Sequence, residues 1–220
     1  MNLVIFDVDG TLVDSQHMIV AAQSRAIGRL DLPIPSREAM LSIVGLSLYE
    51  AFTHLFGAGA PLEALADGYK AAWRELVSEG EVSPLYPGAQ ELLMSLSRRP
   101  DIFLGIATGK SRRGIHDFLN RYGWQDMFAT VQTADDAPSK PAPDMILQAL
   151  AELDCSPQHC TMIGDTSFDM DMAKHAGVRG IGVTWGFHPR ERLTSAGLLV
   201  DDFSALQRVL AAHDEVLNDA

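Results

Sequence analysis

The chain has 220 residues, a net charge of −12 and 47% hydrophobic residues, enough apolar material for one large domain or for a core carrying a smaller inserted one. The acidic balance argues against nucleic acid or an anionic membrane surface as partner, since both are bound through basic patches. It also repels anionic substrates at long range, so any phosphate must be captured locally, by a metal, a lysine or backbone amides.

The first predicted element is the strand Leu3-Val4-Ile5-Phe6, which runs into Asp7-Val8-Asp9-Gly10-Thr11-Leu12-Val13-Asp14. Side chains two apart on an extended strand point the same way, so Asp7 and Asp9 face each other at its exit. Like charges that close are costly unless a cation or a shared proton relieves them. Gly10 then allows a tight turn and exposes amides to an anion. Aspartate arrives at position 7 with no basic stretch before it, so no signal peptide is expected. The apolar runs are too short to span a bilayer. Cys155 and Cys160 form neither a disulfide framework nor a zinc pattern and are expected as reduced, packed thiols of a cytoplasmic protein.

From Ser15 to about Val82 the apolar spacing is helical, over Met18–Leu30, Glu38–Ile43, Leu48–Phe56 and Leu62–Val77. Proline and glycine punctuate it at Leu32-Pro33-Ile34-Pro35, Val44-Gly45 and Gly57–Pro61. From Gln90 strands and helices alternate. Helix Gln90–Arg98 precedes strand Ile102–Thr108, and helix Arg112–Tyr122 precedes strand Phe128–Thr133. Helix Pro143–Asp154, strand Cys160–Asp165, helix Phe168–Ala176 and strand Gly180–Thr184 follow, then strand Leu198–Val200 and helix Phe203–His213. Near-continuous apolar strands between helices imply a parallel sheet covered on both faces. The fold class is therefore α/β, a doubly wound, Rossmann-like core with an inserted all-helical cap. The core is assigned to residues 1–14 and 84–220 and the cap to 15–83. Asp14–Gln16 and Pro84–Gly88 are expected as the two linkers on which the cap opens and closes.

In such sheets the ligand sits beyond the carboxyl ends of the strands. Residues leaving them are Asp7 and Asp9, then Ala107-Thr108-Gly109-Lys110, then Gly164-Asp165-Thr166-Ser167-Phe168-Asp169. Lys140 lies in the proline-stiffened turn Pro138–Pro143. Hard oxygen donors of this kind suit Mg²⁺, which keeps waters and binds substrate phosphate. Asp7 and Asp165 are the expected metal ligands, with the backbone carbonyl of Asp9 as a third and Asp169 holding a metal-bound water. Gly10, Thr108, Gly109 and Lys140 are the expected phosphate-binding residues.

These motifs, in this order along nearly the whole chain, resemble the haloacid dehalogenase superfamily of hydrolases, in its phosphoglycolate phosphatase-like branch with a helical cap. The resemblance rests on Asp7-Val8-Asp9-Gly10-Thr11, Thr108, Lys140, and Gly164-Asp165 with Asp169. It implies that Asp7 is a nucleophile forming an aspartyl-phosphate, and that Asp9 protonates the leaving alkoxide and then activates water. The implied activity is a Mg²⁺-dependent phosphatase acting on a small phosphorylated metabolite such as phosphoglycolate, as a monomer or homodimer. A phosphomutase of the same superfamily is the nearest alternative. A receiver-type signalling module is a more distant one, disfavoured by the helical insert and by Asp9.

Plainer readings stand beside these. Thr108 can simply cap the next helix, and Asp14 with Ser15 can simply start the first cap helix. Gly45-Leu46-Ser47 reads either as an interhelical turn or as a substrate-facing cap loop, and Trp185–His188 as packing rather than an entrance lining. The only cap lysine, Lys70, falls inside a helical run. His17, His54, His116, His159, His175 and His213 show no ligand spacing, and Asp201-Asp202 reads as a solvated turn.

Overall fold

The structure, a computed structural model, describes residues 2–218, with side chains described as far as residue 212. Six parallel strands form one sheet. They are β1 (Asn2–Phe6), β2 (Ile102–Thr108), β3 (Thr130–Thr133), β4 (Cys160–Gly164), β5 (Arg179–Val183) and β6 (Leu198–Val200), in the order β3-β2-β1-β4-β5-β6. The apolar run of β1 follows from this central place. Val4 and Phe6 enter the core on one face of the sheet, and Leu3 and Ile5 enter the core on the other. The chain steps outward from β1 in one direction to β3 and then returns to lay β4 on its other side. Asp7 thus leaves the sheet at the reversal of strand order, where doubly wound folds form their ligand crevice.

The helices covering the sheet are α5 (Ala89–Ser97), α6 (Arg112–Tyr122), α7 (Asp144–Glu152), α8 (Ser167–His175) and α9 (Phe203–Asn218). Leu92 and Leu93 of α5, Ile115 and Phe118 of α6 and Leu206 of α9 fill one face. Met145 and Ile146 of α7 with Met172 and Ala173 of α8 fill the other.

Between β1 and α5 lie four helices and no strand, α1 (Gln16–Gly28), α2 (Arg37–Leu41), α3 (Leu48–Phe56) and α4 (Leu62–Ser78). They have small apolar cores of their own, one of Met18, Ala22, Ala72 and Leu76 and another of Ile27, Met40, Phe52 and Leu65. Gly68 lets α4 approach α1, because a Cβ there would stand 3.3 Å from the Cβ of Ala26. Ser36 and Ser47 cap α2 and α3 through their hydroxyls, accepting from Ala39 N and Glu50 N. The two linkers run side by side: Asp14 N donates to Pro84 O at 2.9 Å and Tyr86 N to Leu12 O at 3.0 Å.

Element boundaries differ from the sequence reading at a few places. The third strand starts at Thr130 rather than Phe128, since Phe128 is drawn into the core beside Trp124 while Ala129 N still bonds Leu104 O. The second insert helix stops at Leu41 rather than Ile43 and the first runs Gln16–Gly28 rather than Met18–Leu30, frayed ends of the kind a periodic pattern does not resolve. Cys155 and Cys160 are buried free thiols. Among the described residues no helix is long and apolar enough to cross a membrane. His213 has a side chain outside the described residues.

Candidate active site

Asp7 sits one residue past β1, its amide donating to Ile163 O of β4 at 2.9 Å. Asp165 follows β4 directly, and Asp169 lies on the first turn of α8. Adjacent strand ends therefore bring the three carboxylates together. One oxygen from each lies within 4.8 Å of the others, and all three residues are buried.

A single buried cation balances them in part. Lys140 Nζ stands 2.6 Å from Asp169 Oδ1 and 2.9 Å from Asp7 Oδ1, with both sides of each pair out of solvent. Burial alone would push the ammonium toward neutrality, but Asp169 and Asp7 outweigh it and hold its pKa above the ordinary lysine value. Burial pushes the Asp7 carboxyl up to about 7, against the pull of Lys140 and with a further push from the Asp169 and Asp9 charges. Asp165 is raised well above the ordinary carboxylate range by burial first and then by Asp169 and Asp7, although Phe187 N–H and the Thr11 hydroxyl oppose this.

Each acid is held at a defined angle. Asp165 accepts from Thr11 Oγ1 at 2.8 Å on one oxygen and from Phe187 N at 2.8 Å on the other. Asp169 closes a capping box with Thr166, accepting from its amide at 3.0 Å and its hydroxyl at 2.7 Å. For Asp7, Oδ1 has only the Lys140 ion pair, and among the described residues no donor reaches Oδ2. A buried carboxylate oxygen without a partner costs free energy unless something else meets it. Three clustered carboxylates, two of them paired with Lys140 and one offering the unpartnered Oδ2 of Asp7, fit a small hard divalent cation.

Glycines make room for this arrangement. Gly10 adopts φ +86°, and a Cβ there would stand 2.3 Å from Asp165 Oδ2 and 2.5 Å from the Phe187 ring. A Cβ on Gly186 would lie 2.2 Å from Asp165 Cβ. Neither position tolerates a side chain without moving the carboxylate.

Asp9 belongs to a different group. Its carboxylate is not in the three-acid cluster but is gripped by Lys110 Nζ at 2.9 and 2.7 Å. The same ammonium lies 4.6 Å from the ring centroid of Trp73 on α4, a cation–π contact that ties the end of β2 to the insert. Thr108 is buried and accepts from Lys110 N at 3.2 Å. Gly109 touches the insert closely, since a Cβ there would lie 2.8 Å from both Gly45 O and Leu46 O.

The segment Gly45-Leu46-Ser47 therefore lies over the strand ends. Ser47 N donates to Ser139 Oγ at 2.8 Å, next to Lys140. A second clasp comes from His188, which is 1% exposed. Ser167 N donates to its Nδ1 at 3.0 Å, which leaves the Nε2 hydrogen to bond Ser42 O, also at 3.0 Å, at the end of α2. A cavity of about 1000 Å³ remains between sheet and insert, with Asp7, Asp9 and Thr108 among its lining.

The structure brings Asp7, Asp165, Asp169 and Lys140 together, and Gly10 beside them. Lys110, Gly186, Phe187 and His188 were not predicted as site residues. Lys110 was visible in sequence only as a strand-end cation, and the role of His188 depends on a partner 146 residues away.

A doubly wound sheet with clustered carboxylates at its switch point defines a class of phosphate-handling and metal-assisted α/β proteins. Comparison with known proteins narrows it. Residues 4–183 match the family model described as Haloacid dehalogenase-like hydrolase, and the chain belongs to that family. It is 37% identical over 219 residues to the "Probable phosphatase IndB" of Dickeya dadantii, covering 96% of this chain and 93% of that one. It is 32% identical over 197 residues to the "Phosphoglycolate phosphatase" of Synechococcus elongatus, covering 89% and 90%. A solved hydrolase from Pseudomonas syringae superposes with a TM-score of 0.85 at 26% identity, covering 96% of this chain and 99% of that one.

Proposed function

We propose that the protein is a Mg²⁺-dependent phosphatase that hydrolyses a phosphate ester of a small organic molecule through an aspartyl-phosphate on Asp7. The observation that carries this reading is the buried, unpartnered Oδ2 of Asp7, at the exit of the central strand beside Asp165 and Lys140. Asp7 and Asp165, with the backbone carbonyl of Asp9, would hold the cation. When bound, it would relieve the repulsion among the acids, keep Asp7 anionic and neutralise phosphoryl oxygens.

In the first half-reaction an Asp7 oxygen attacks phosphorus, the bond from phosphorus to the leaving oxygen breaks, and Asp9 delivers a proton to that oxygen. In the second, Asp9 takes a proton from water as the water oxygen attacks phosphorus, and the bond to Asp7 breaks to release inorganic phosphate. Lys140 stabilises charge on the phosphoryl oxygens, with Thr108 and the amides near Gly10 and Gly109 completing the cradle. Lys110 has to loosen its hold on Asp9 for that proton traffic. The helical insert, residues 15–83, acts as a cap that closes over the bound ester and excludes water.

Phosphate release from a panel of phosphate esters tests the reading. Turnover with Mg²⁺ that EDTA abolishes and added Mg²⁺ restores is expected. No phosphate release from any ester, with or without Mg²⁺, overturns it. Transfer of the phosphoryl group back to an organic product, with no net phosphate release, would make the protein a phosphomutase instead.

A further inference from the structure

The cavity above Asp7 is far larger than a phosphate. Its volume of about 1000 Å³ lies at the upper end of pockets that hold drug-sized ligands. Its lining is unlike the strand-end cluster at its floor. Met18 and Ile19 of α1, Leu46 of the clasped loop and Phe118 of α6 give it apolar walls. Tyr69 and Trp73 add a pair of aromatic rings with centroids 6.0 Å apart, and Lys110 and the α4 packing hold Trp73 in place.

The charges around it are already engaged or solvated. Lys110 is paired with Asp9 and Lys70 with Asp67, while Arg74, Arg113 and Arg121 are solvent-exposed. The exposed acids Asp67, Glu81, Asp117 and Asp135 stand among these cations in the lining, so its ionised groups are of mixed sign and offer a second anion no dedicated site. An apolar body would instead pack against the parts of these rings, and of Met18, Ile19 and Leu46, that line the cavity.

Resting on the phosphatase reading, we propose that the leaving group carried by the substrate is bulky, planar and largely apolar, an aromatic or heteroaromatic body bearing the phosphate ester. A two-carbon acid such as the organic part of phosphoglycolate leaves most of this cavity unfilled. The organic end of the substrate is read by Trp73, Tyr69 and the apolar wall, and the phosphate by the strand ends below.

The test compares 2-(1-naphthyl)ethyl phosphate with ethyl phosphate and phosphoglycolate, since the two alkyl esters expel alkoxides of similar basicity and differ mainly in the body the cavity would hold. The expected kcat/KM for the naphthyl ester exceeds that of ethyl phosphate and of phosphoglycolate by about 100-fold. Trp73→Ala lowers that preference about tenfold, and Val77→Trp, which adds bulk at an exposed lining position, lowers it too. Equal or better turnover of ethyl phosphate or phosphoglycolate overturns the inference while leaving the phosphatase reading intact. Should no ester turn over, the phosphatase reading fails. The cavity is then judged by calorimetric titration with the matching phosphonates. At least about tenfold tighter binding of the naphthyl compound supports the apolar site, and equal affinities contradict it.

Discussion

The strand ends and the helical insert solve opposite problems. At the strand ends three buried carboxylates cluster, two of them paired with one buried lysine, and most of the remaining oxygens are met by a hydroxyl or an amide. In the insert, helices meet through small apolar clusters and solvent-exposed ion pairs such as Arg25–Glu79. The first region depends on a few atoms held at fixed positions by a sheet. The second depends on shape, and its charges are largely solvated.

Removing the cation from the strand ends should produce the largest structural effect. Lys140→Ala leaves Asp7 and Asp169 buried against each other, and a loss of about 3–5 kcal/mol is expected in denaturant unfolding, together with loss of turnover. Unchanged stability would mean that the acids are not held by this lysine. The clasp between the two regions comes next. His188→Ala strands the Ser42 carbonyl and the Ser167 amide, for a loss of about 1–3 kcal/mol. Faster amide exchange is expected over residues 42–47, which a purely local packing defect in the core would not produce.

Divalent metal should sharpen the contrast in a pH-dependent way. The Asp7 pKa is raised in the fold to about 7 from 3.8. Between those values the native protein therefore binds more protons than the unfolded chain, and metal-free stability falls as pH rises. Mg²⁺ competes with the proton, so its stabilisation is expected to be small at pH 5 and to raise the melting temperature by about 3 °C or more at pH 8. Equal shifts at both pH values would separate the metal from Asp7. The smallest effect belongs to the insert surface. Arg25→Ala breaks an exposed pair and is expected to leave melting and turnover where they are.

Much of the core was readable because its strands are apolar on both faces and its acids stand directly after them. Leu3–Phe6 could only be a buried strand, and Asp7, Asp165 and Lys140 converge because neighbouring strand ends and one turn bring them together. Asp9 shows where that logic stops. Its carboxylate lines the same cavity as Asp7 but pairs with Lys110, whose ammonium also lies over Trp73 from a helix whose orientation no periodicity encodes. The same holds for His188, whose tautomer and role are set by an amide 21 residues away and a carbonyl 146 residues away. Gly186 was legible only as a glycine after a strand, because its need for no side chain comes from Asp165 folding back on it.

In the proposed reaction Asp7 receives the phosphoryl group. Rapid acid quench of the Mg²⁺-loaded protein during turnover of a ³²P-labelled ester, followed by peptide mapping, tests it most directly. The expected result is an acid-stable, hydroxylamine-sensitive label on the peptide containing Asp7, longer-lived in Asp9→Asn and absent in Asp7→Asn, which also loses turnover by about 10⁴-fold or more. Label on any other residue, or near-normal turnover by Asp7→Asn, would rule out Asp7 as the phosphoryl acceptor.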